Sequence, residues 1–281
     1  MATRAVKQTG AGLSEEQVRF FRTFGFITLR DFFTTEQVQT IHREIDVALD
    51  EQYHDQPWDG QGMRNVNLLD DSTPFCSGLI EDRRCLGIAE QLYKDDGGVL
   101  GSHAQATIFA GDSHWHRDTK MSLQRGVKMG CYLDHVDADS GALRVVPSSH
   151  WIPRVYDDND APWAGIVPMP IEQVPCHVLK MGPGDLVAFD HRIWHGTCGG
   201  AYGRRMLAIN YIHNPQTKQE TVALCQQSEH AARLQRQAQS GRRYIFPRKW
   251  LDNPKGNPDR QRWLDRLHQI NYFDTPGLVE P

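Results

Sequence analysis

The chain has 281 residues and a net charge of −4, with 39% hydrophobic and 23% charged residues. This composition is that of a chain able to bury a full core, and its slight acidity excludes a global field that would attract nucleic acid. No apolar run reaches the roughly 18 residues that span a bilayer, and the N-terminus lacks the apolar segment of a signal peptide. The cysteines include no C-x-x-C pair, which favours reduced thiols. We therefore predict a cytoplasmic protein that binds neither nucleic acid nor membrane.

The N-terminal third has the pattern of helices. Ser14 and Gln17 resemble a capping box at the start of an amphipathic helix. A short strand-like run, GFITL, follows, and a second amphipathic helix begins after Thr35. A third helix is expected over residues 80–94. We assign residues 14–95 to a helical N-terminal part.

The middle of the chain reads as β-structure. From residue 99 to about residue 212, short runs such as VKMGCYLDHV and GDLVAFD are separated by Gly, Pro and Asp. Antiparallel strands at this spacing are typical of a sandwich or barrel. Helical, charged sequence returns for a C-terminal extension over about 219–281. We predict a mainly β protein with helical flanks (α+β), in which a β-core at about 99–212 lies within one domain, 1–281.

Two segments of the chain lack regular patterning. Residues 53–75 are rich in Asp, Asn and Gly, and residues 151–175 are rich in Pro and Asp. Loops of this length without structure are usually functional or disordered. We expect both to shape a substrate pocket, the second as a lid in which Trp163 contacts the substrate.

The stretch SHWHRDT, residues 113–119, contains two candidate metal ligands. His116 and Asp118 are two residues apart, so on an extended backbone their side chains leave the same face. A third ligand must come from far along the chain, and GDLVAFDHRIWHGT supplies His191 and His195. Two imidazoles and one carboxylate form the facial triad of non-haem Fe(II) oxygenases. The residues alone leave the third ligand open between the two histidines.

Other polar residues near this stretch have weaker claims to a function. A second His-x-Asp pattern at residues 135–137 lies in a run of acidic and small residues that is typical of an exposed turn. His114 is a candidate substrate contact or a partner of His116, although a packed histidine is the commoner case. Arg117 and Lys120 are candidates for an anionic substrate group, although such residues are usually surface charges.

An arginine pair opens the strand-like run RRMLAINY, nine residues after His195. A planar guanidinium suits bidentate binding of a carboxylate, such as that of a chelating cosubstrate. Neighbouring side chains of a strand point to opposite faces, so only one of Arg204 and Arg205 can enter a barrel. The face of Arg205 is the more apolar and could line either the barrel or outer helices, so periodicity leaves this choice open.

Five stretches resemble, in order, the motifs of the phytanoyl-CoA dioxygenase family of Fe(II)/2-oxoglutarate oxygenases. They are GFITLRDFF, HWHRDT, SGALRVVPSSH, GDLVAFDHRIWHGT and RRMLAINY, and they cover roughly residues 15–212. The resemblance implies a double-stranded β-helix (jelly-roll, cupin-like) core. It also implies that Fe(II) is held by His116, Asp118 and His195.

The same resemblance implies 2-oxoglutarate as the cosubstrate and O2 as the oxidant. It selects Arg204 rather than Arg205 and assigns Arg204 and Thr197 to the distal carboxylate of 2-oxoglutarate. Gln105 is implied as a weaker cosubstrate contact. One departure from the family pattern is Gly130, which stands where an aromatic residue is common.

The resemblance further implies the reaction class. The protein is expected to oxidise an unactivated C–H bond of a small-molecule substrate, most often by hydroxylation, with release of succinate and CO2. The same cofactors also support desaturation, epoxidation or cyclisation. A more distant alternative is a cupin-like metal-binding isomerase or binding protein, which would release no succinate. The residues predict no particular substrate or oligomeric state.

Overall fold

A computed structural model provides the structure of the chain. It describes residues 12–54, 56, 58–119, 123–151, 173–200, 203–237, 245–252, 254 and 256–279. The predictions for Lys120, for Trp163 and for nearly all of the lid at 151–175 lie outside these residues. What is described consists of two antiparallel sheets with helical flanks, as predicted.

The N-terminal part contains helices together with two strands that the sequence pattern only partly indicated. Ser14 and Gln17 form the predicted capping box, in which each side chain hydrogen-bonds to the backbone of the other residue. In order, the elements are α1 (Glu15–Phe24), β1 (Phe26–Leu29), α2 (Thr35–Tyr53), β2 (Gly62–Asn67), α3 (Pro74–Gly78) and α4 (Arg83–Leu92).

The expectation that residues 53–75 form an irregular loop was wrong for β2. This strand pairs with the edge of the next strand, placing Asn65 opposite Thr107 and Asn67 opposite Gln105. Its polar composition is explained by its position at the sheet edge, where Gly62, Met63 and Asn65 are exposed. Composition alone therefore concealed a strand that contributes to the site described below.

The β-core follows the predicted run of short strands. Their bounds are β3 (Val99–Ala110), β4 (Ser113–His116), β5 (Gly126–Tyr132), β6 (Leu143–Val145), β7 (His177–Leu179), β8 (Leu186–Asp190), β9 (His195–Thr197) and β10 (Arg204–His213). The larger sheet has the strand order β1-β8-β5-β10-β3-β2, and the smaller sheet has the order β4-β9-β6-β7. The two N-terminal strands thus extend the larger sheet at both edges.

The register of the larger sheet arranges its inner side chains in rows across the strands. Asn210 of β10 pairs with His103 of β3 and with Lys128 of β5. The next row lies two residues nearer the start of β10. The residues at its centre are small, since they are Ala208 and its partner Gly130. Since directly paired residues share a face, these rows form the floor of the space between the sheets.

The outer face of the larger sheet packs against the helices. Leu207, Ile209 and Tyr211 of β10 are fully buried and belong to the main hydrophobic cluster, together with Ile41 and Ile45 of α2. The more apolar face of RRMLAINY therefore covers the outside of the barrel. Arg204 and the alternate residues of β10 that share its face therefore point to the inside of the barrel.

The C-terminal extension is helical, as predicted, and contacts the β-core. It consists of α5 (Lys218–Gln237), α6 (Arg248–Asp252) and α7 (Pro258–Gln269). Trp263 of α7 packs so closely on β3 that a Cβ on Gly101 would lie 2.5 Å from its ring. In the part of the chain that the structure describes, no helix has the length and apolar content needed to cross a membrane.

Candidate active site

His116 and His195 face each other across the pairing of β4 with β9, and their ring centroids are 4.2 Å apart. Each Nδ1 lies next to a backbone carbonyl oxygen two residues earlier in the chain. The distances are 2.7 Å from His116 to His114 and 3.0 Å from His195 to Ile193. A carbonyl only accepts, so Nδ1 carries the proton and Nε2 keeps its lone pair for a metal ion.

Asp118 lies two residues after the end of β4 and is fixed through its backbone. Its N–H donates to the carbonyl oxygen of His191 at 2.9 Å. Its own carbonyl oxygen accepts from Nε2 of Gln227, on α5, at 3.1 Å. The His-x-Asp stretch is therefore held by the turn after β8 and by the C-terminal extension.

The carboxylate of Asp118 is charged and incompletely paired. Oδ1 accepts from Nζ of Lys128 at 2.8 Å, whereas Oδ2 is buried without a hydrogen-bond partner among the described residues. Burial raises the pKa of this carboxyl group, but the positive charge of Lys128 and the neighbouring imidazoles prevail, so the pKa is lowered. An ionised carboxylate with a free, buried oxygen atom is suited to a metal ion.

Potential ligand atoms of His116, Asp118 and His195 all lie within 4.8 Å of one another. Two imidazole nitrogens and one carboxylate oxygen are the donor set that non-haem Fe(II) uses when it keeps open coordination positions. The described residues contain no other group of this kind, and His191 is not part of it. The three residues predicted as ligands are thus brought together, and they fit the ion.

Burial also controls the protonation of His195, which is 3% exposed. Burial, and next to it the proximity of His116, lower its pKa to about 3. The imidazole is therefore neutral at all ordinary pH values. A neutral imidazole is the form that binds metal ions.

Arg204 lies at the other end of the same cavity. One Nη donates to Oγ1 of Thr197 at 2.7 Å, and the other donates to the carbonyl oxygen of Gly111 at 3.1 Å. The guanidinium lies over the ring of Phe109, 4.6 Å from its centroid. Arg204 is only 7% exposed, and none of the ion pairs formed among the described residues includes its guanidinium. A buried cation of this kind is suited to an anionic ligand.

Two glycines make room for this guanidinium. A Cβ on Gly141 would lie 2.7 Å from Cζ of Arg204, and a Cβ on Gly200 would collide with Nη1. Gly141 also has a φ of +84°, which side-chain-bearing residues rarely adopt. The glycine of the SGAL stretch therefore helps to form the space that Arg204 occupies.

A cavity of about 220 Å³ joins the His-Asp-His group to Arg204. Gln105 and Thr197, both predicted as cosubstrate contacts, line it. Arg205 lies on the opposite side of β10, where it forms an ion pair with Asp46 of α2 at 3.2 Å. The cavity is lined by Met63, Asn65, Gln105, Thr107, Phe109, Ser113, His116, Lys128, Tyr132, Leu143, Phe189, His195, Thr197, Arg204 and Met206.

Four residues were predicted as substrate contacts, and the two that the structure describes do not line the cavity. His114 is exposed and does not line this cavity. Arg117 is directed away from it, because its guanidinium lies 5.2 Å from the ring of Trp194 and donates to the carbonyl oxygen of Ser149. Lys120 and Trp163 lie outside the described residues. All four remain predictions.

Lys128 and Gln227 contact Asp118 but were not identified from the sequence. A lysine in the otherwise apolar run VKMGCY is a signal of a charge that points into the barrel, and the sequence analysis did not use it. No local signal marks Gln227, since it lies 109 residues from Asp118 in the chain. Only the packing of α5 brings it to the site.

Comparison with known proteins identifies the family. The phytanoyl-CoA dioxygenase (PhyH) family matches residues 21–204, well over half of the chain. The chain belongs to this family. A similar protein, Dioxygenase cdmA of Talaromyces verruculosus, is 28% identical over 219 residues, which make up 68% of this chain and 70% of that protein.

Solved structures with a similar fold include two enzymes of nogalamycin biosynthesis. The epimerase SnoN in complex with Fe3+, alpha ketoglutarate and nogalamycin RO has a TM-score of 0.58 at 18% identity, covering 71% of this chain and 83% of that one. The carbocyclase SnoK has a TM-score of 0.57 at 19% identity, covering 72% and 85%. EctD from S. alaskensis with bound Fe has a TM-score of 0.55 at 19% identity, covering 75% and 80%.

These findings confirm the predicted family and the double-stranded β-helix fold. Membership of the phytanoyl-CoA dioxygenase family, together with the His-Asp-His group, also confirms iron and 2-oxoglutarate as the cofactors. The protein is a non-haem iron, 2-oxoglutarate-dependent oxygenase. Helix α5, which contacts Asp118 through Gln227, lies beyond the residues that the family matches.

Proposed function

We propose that this oxygenase hydroxylates an unactivated C–H bond of a small-molecule substrate. The observation that carries the proposal is one cavity with a metal-ligand group at one end and, at the other, a buried guanidinium that forms no ion pair with the carboxylates the structure describes. A dicarboxylic keto acid that chelates iron at one end and pairs with an arginine at the other suits such a cavity.

The chain's own residues would hold iron through Nε2 of His116, Nε2 of His195 and a carboxylate oxygen of Asp118. Hydrogen bonds from both Nδ1 atoms to backbone carbonyls keep the imidazole rings in the ligating tautomer. The Lys128 ammonium orients the carboxylate of Asp118 through Oδ1. These contacts prepare the ligand set before the ion arrives.

Arg204, Thr197 and Gln105 would hold 2-oxoglutarate. The guanidinium offers two N–H groups to the distal carboxylate, and the hydroxyl of Thr197, which already contacts the guanidinium, adds a third donor. Ala208 and Gly130 keep the floor between the two ends of the cavity free of large side chains. Bound iron and 2-oxoglutarate supply the oxidation chemistry, in which the keto acid becomes succinate and CO2 while one oxygen atom of O2 enters the substrate.

A second outcome at the same site is ring closure or epimerisation. Its support is that the fold neighbours SnoK and SnoN are a carbocyclase and an epimerase. Desaturation and epoxidation are further alternatives with the same cofactors. A cupin-like isomerase or binding protein is the most remote alternative, because it would need neither 2-oxoglutarate nor Arg204.

The proposal is tested by a screen for substrate-dependent succinate release with Fe(II), 2-oxoglutarate and O2. Hydroxylation adds one oxygen atom to the product, ring closure or desaturation removes two hydrogen atoms, and epimerisation leaves the mass unchanged. The His116→Ala variant serves as the inactive control. A product without added oxygen would contradict hydroxylation, and turnover without succinate would contradict the 2-oxoglutarate mechanism.

A further inference from the structure

A row of polar side chains crosses the floor of the barrel beside the metal-ligand group. We call it the polar row and define it as His103, Asn210 and Lys128. Asn210 is the direct cross-strand partner of both other residues, so the three side chains lie on one face as neighbours. Lys128 contacts Asp118, which places one end of the polar row at the candidate iron ligands.

His191 lies next to the polar row. A Cβ on Gly126 would lie 2.7 Å from its imidazole ring, so the ring occupies the space above that glycine. Gly126 is two residues before Lys128 on β5, and residues at this spacing share a face. Glycine at this position thus admits a second imidazole on the side of the strand that carries the polar row.

Two polar atoms in this region are buried without a hydrogen-bond partner. Nδ2 of Asn210 and Nε2 of His191 have no hydrogen-bond partner among the described residues, and the two residues are 2% and 6% exposed. Buried polar groups in native proteins are nearly always satisfied, so such atoms indicate a missing partner. Lys128, the cross-strand partner of Asn210, lines the cavity beside the candidate iron ligands, where a substrate must bind to be oxidised.

The charges of the loaded site point to the chemistry of that partner. Asp118 and the chelating carboxylate of 2-oxoglutarate balance the two charges of Fe(II), and the distal carboxylate balances Arg204. Lys128, whose side chain is 13% exposed, forms its ion pair in the described structure with Asp118 alone. Once iron also binds that carboxylate, the ammonium shares the single negative charge of Asp118 with the ion and is left incompletely neutralised in a largely buried position, which is unfavourable.

We infer that the substrate carries a carboxylate, which binds Lys128 and Asn210 of the polar row with His191 beside them. This inference rests on the proposed function, because the charge balance assumes bound iron and 2-oxoglutarate. A carboxylate matches the site because its two oxygen atoms can accept from the ammonium of Lys128 and the amide of Asn210 together. The site oxidised would then lie close to this carboxylate in the substrate.

The test uses small aliphatic and aromatic carboxylic acids, each paired with its methyl ester. Binding to the protein loaded anaerobically with Fe(II) and 2-oxoglutarate is measured by isothermal titration calorimetry. The acids should bind the wild type more tightly than their esters. Lys128→Met should weaken acid binding at least about 30-fold, which corresponds to about 2 kcal/mol. Asn210→Ala, which keeps the charge, should weaken it about tenfold.

Matched controls separate this role from support of the metal. Lys180→Met removes an exposed lysine that is also paired with an aspartate, and it should leave acid binding unchanged. In Asn210→Ala, which leaves the ion pair of Lys128 with Asp118 intact, the affinities for Fe(II) and 2-oxoglutarate should change by less than about threefold. Lys128→Met also removes the ammonium that orients Asp118, so its affinities for Fe(II) and 2-oxoglutarate are measured beside its affinity for the acids. A large loss of either affinity, with acid binding retained, would show that the ammonium serves the metal centre instead.

The remaining outcomes distinguish this inference from the proposed function. Normal loading of the wild type with Fe(II) and 2-oxoglutarate, but no preference for any acid over its ester, would overturn the substrate assignment alone. Failure of the wild type to bind Fe(II) and 2-oxoglutarate would contradict the proposed function and, with it, the assignment.

Discussion

Arg204 and Arg205 are adjacent in β10 but lie on opposite sides of the barrel wall. Arg204 donates to Thr197 inside the cavity, whereas Arg205 pairs with Asp46 of α2 outside it. The alternation of side chains along a strand makes this separation unavoidable. The pair therefore provides two matched variants, of which only one alters the cavity.

Replacement of each arginine by alanine should separate cosubstrate binding from surface charge. Arg204→Ala removes a buried partner of a carboxylate, which typically costs about 2–5 kcal/mol of binding. The 2-oxoglutarate concentration needed for half-maximal succinate release should rise at least about 30-fold. Arg205→Ala should change it by less than about threefold, since its contacts are to α2. A larger effect of Arg205→Ala than of Arg204→Ala would mean that Arg205, and not Arg204, binds 2-oxoglutarate.

The sequence predicted the site where the signal was local and failed where it depended on register. The two-residue spacing predicted that the side chains of His116 and Asp118 share one face of the strand. The alternation of side chains predicted that only one of Arg204 and Arg205 enters the barrel. The polar row could not be predicted, because the partners of Asn210 depend on which residues of β3 and β5 lie opposite it. Strand β2 was missed for a similar reason, since an exposed edge strand tolerates a polar sequence.

Metal binding should depend on His116, Asp118 and His195 and not on His191. Alanine at any of the three removes a donor atom and should lower Fe(II) affinity on the order of 100-fold or more. This loss should exceed the roughly 10- to 100-fold loss that is typical when a residue supporting a metal ligand is replaced. His191→Ala is the matched control, because it contacts Asp118 through its backbone carbonyl, which the substitution retains. Anaerobic equilibrium dialysis measures all four affinities. Loss of Fe(II) binding in His191→Ala, with normal Fe(II) binding in His195→Ala, would mean that His191 is the third ligand.

The metal-free protein should lose stability as the pH falls below about 6.5, and His195 should account for part of this loss. In the folded state its pKa is lowered from 6.5 to about 3. Between these values the unfolded chain takes up a proton that the folded chain does not, so stability decreases as the pH falls. The contribution is at most about 1.4 kcal/mol per pH unit.

His195→Gln should therefore flatten the pH dependence of the free energy of unfolding between pH 6.5 and 4. Urea denaturation of the metal-free protein at several pH values measures the slope. His268→Gln, at an exposed position on α7, is the control and should retain the wild-type slope. Equal slopes for wild type and His195→Gln would show that this imidazole is not held neutral by burial.

A buried ion pair fixes the turn that carries His191 to His195. Arg192 binds the carboxylate of Asp190 through Nε and Nη2 at 2.8 and 2.7 Å, and the hydroxyl of Tyr93 donates to the same carboxylate at 3.1 Å. Arg192→Met would leave a buried carboxylate without its cation and should cost about 3–5 kcal/mol of stability. The double variant with Asp190→Asn should recover a large part of this loss in urea denaturation. A loss below about 1 kcal/mol in the single variant would mean that water replaces the arginine.

The central claim is that one cavity binds iron at the His-Asp-His group and 2-oxoglutarate between that group and Arg204. Anaerobic titration of the metal-free protein with Fe(II) and then with 2-oxoglutarate tests it without any knowledge of the substrate. One Fe(II) and one 2-oxoglutarate should bind per chain, with the visible absorption of an iron–keto acid chelate, which succinate cannot produce. Binding of 2-oxoglutarate that requires neither iron nor Arg204, or no binding of iron, would contradict the claim.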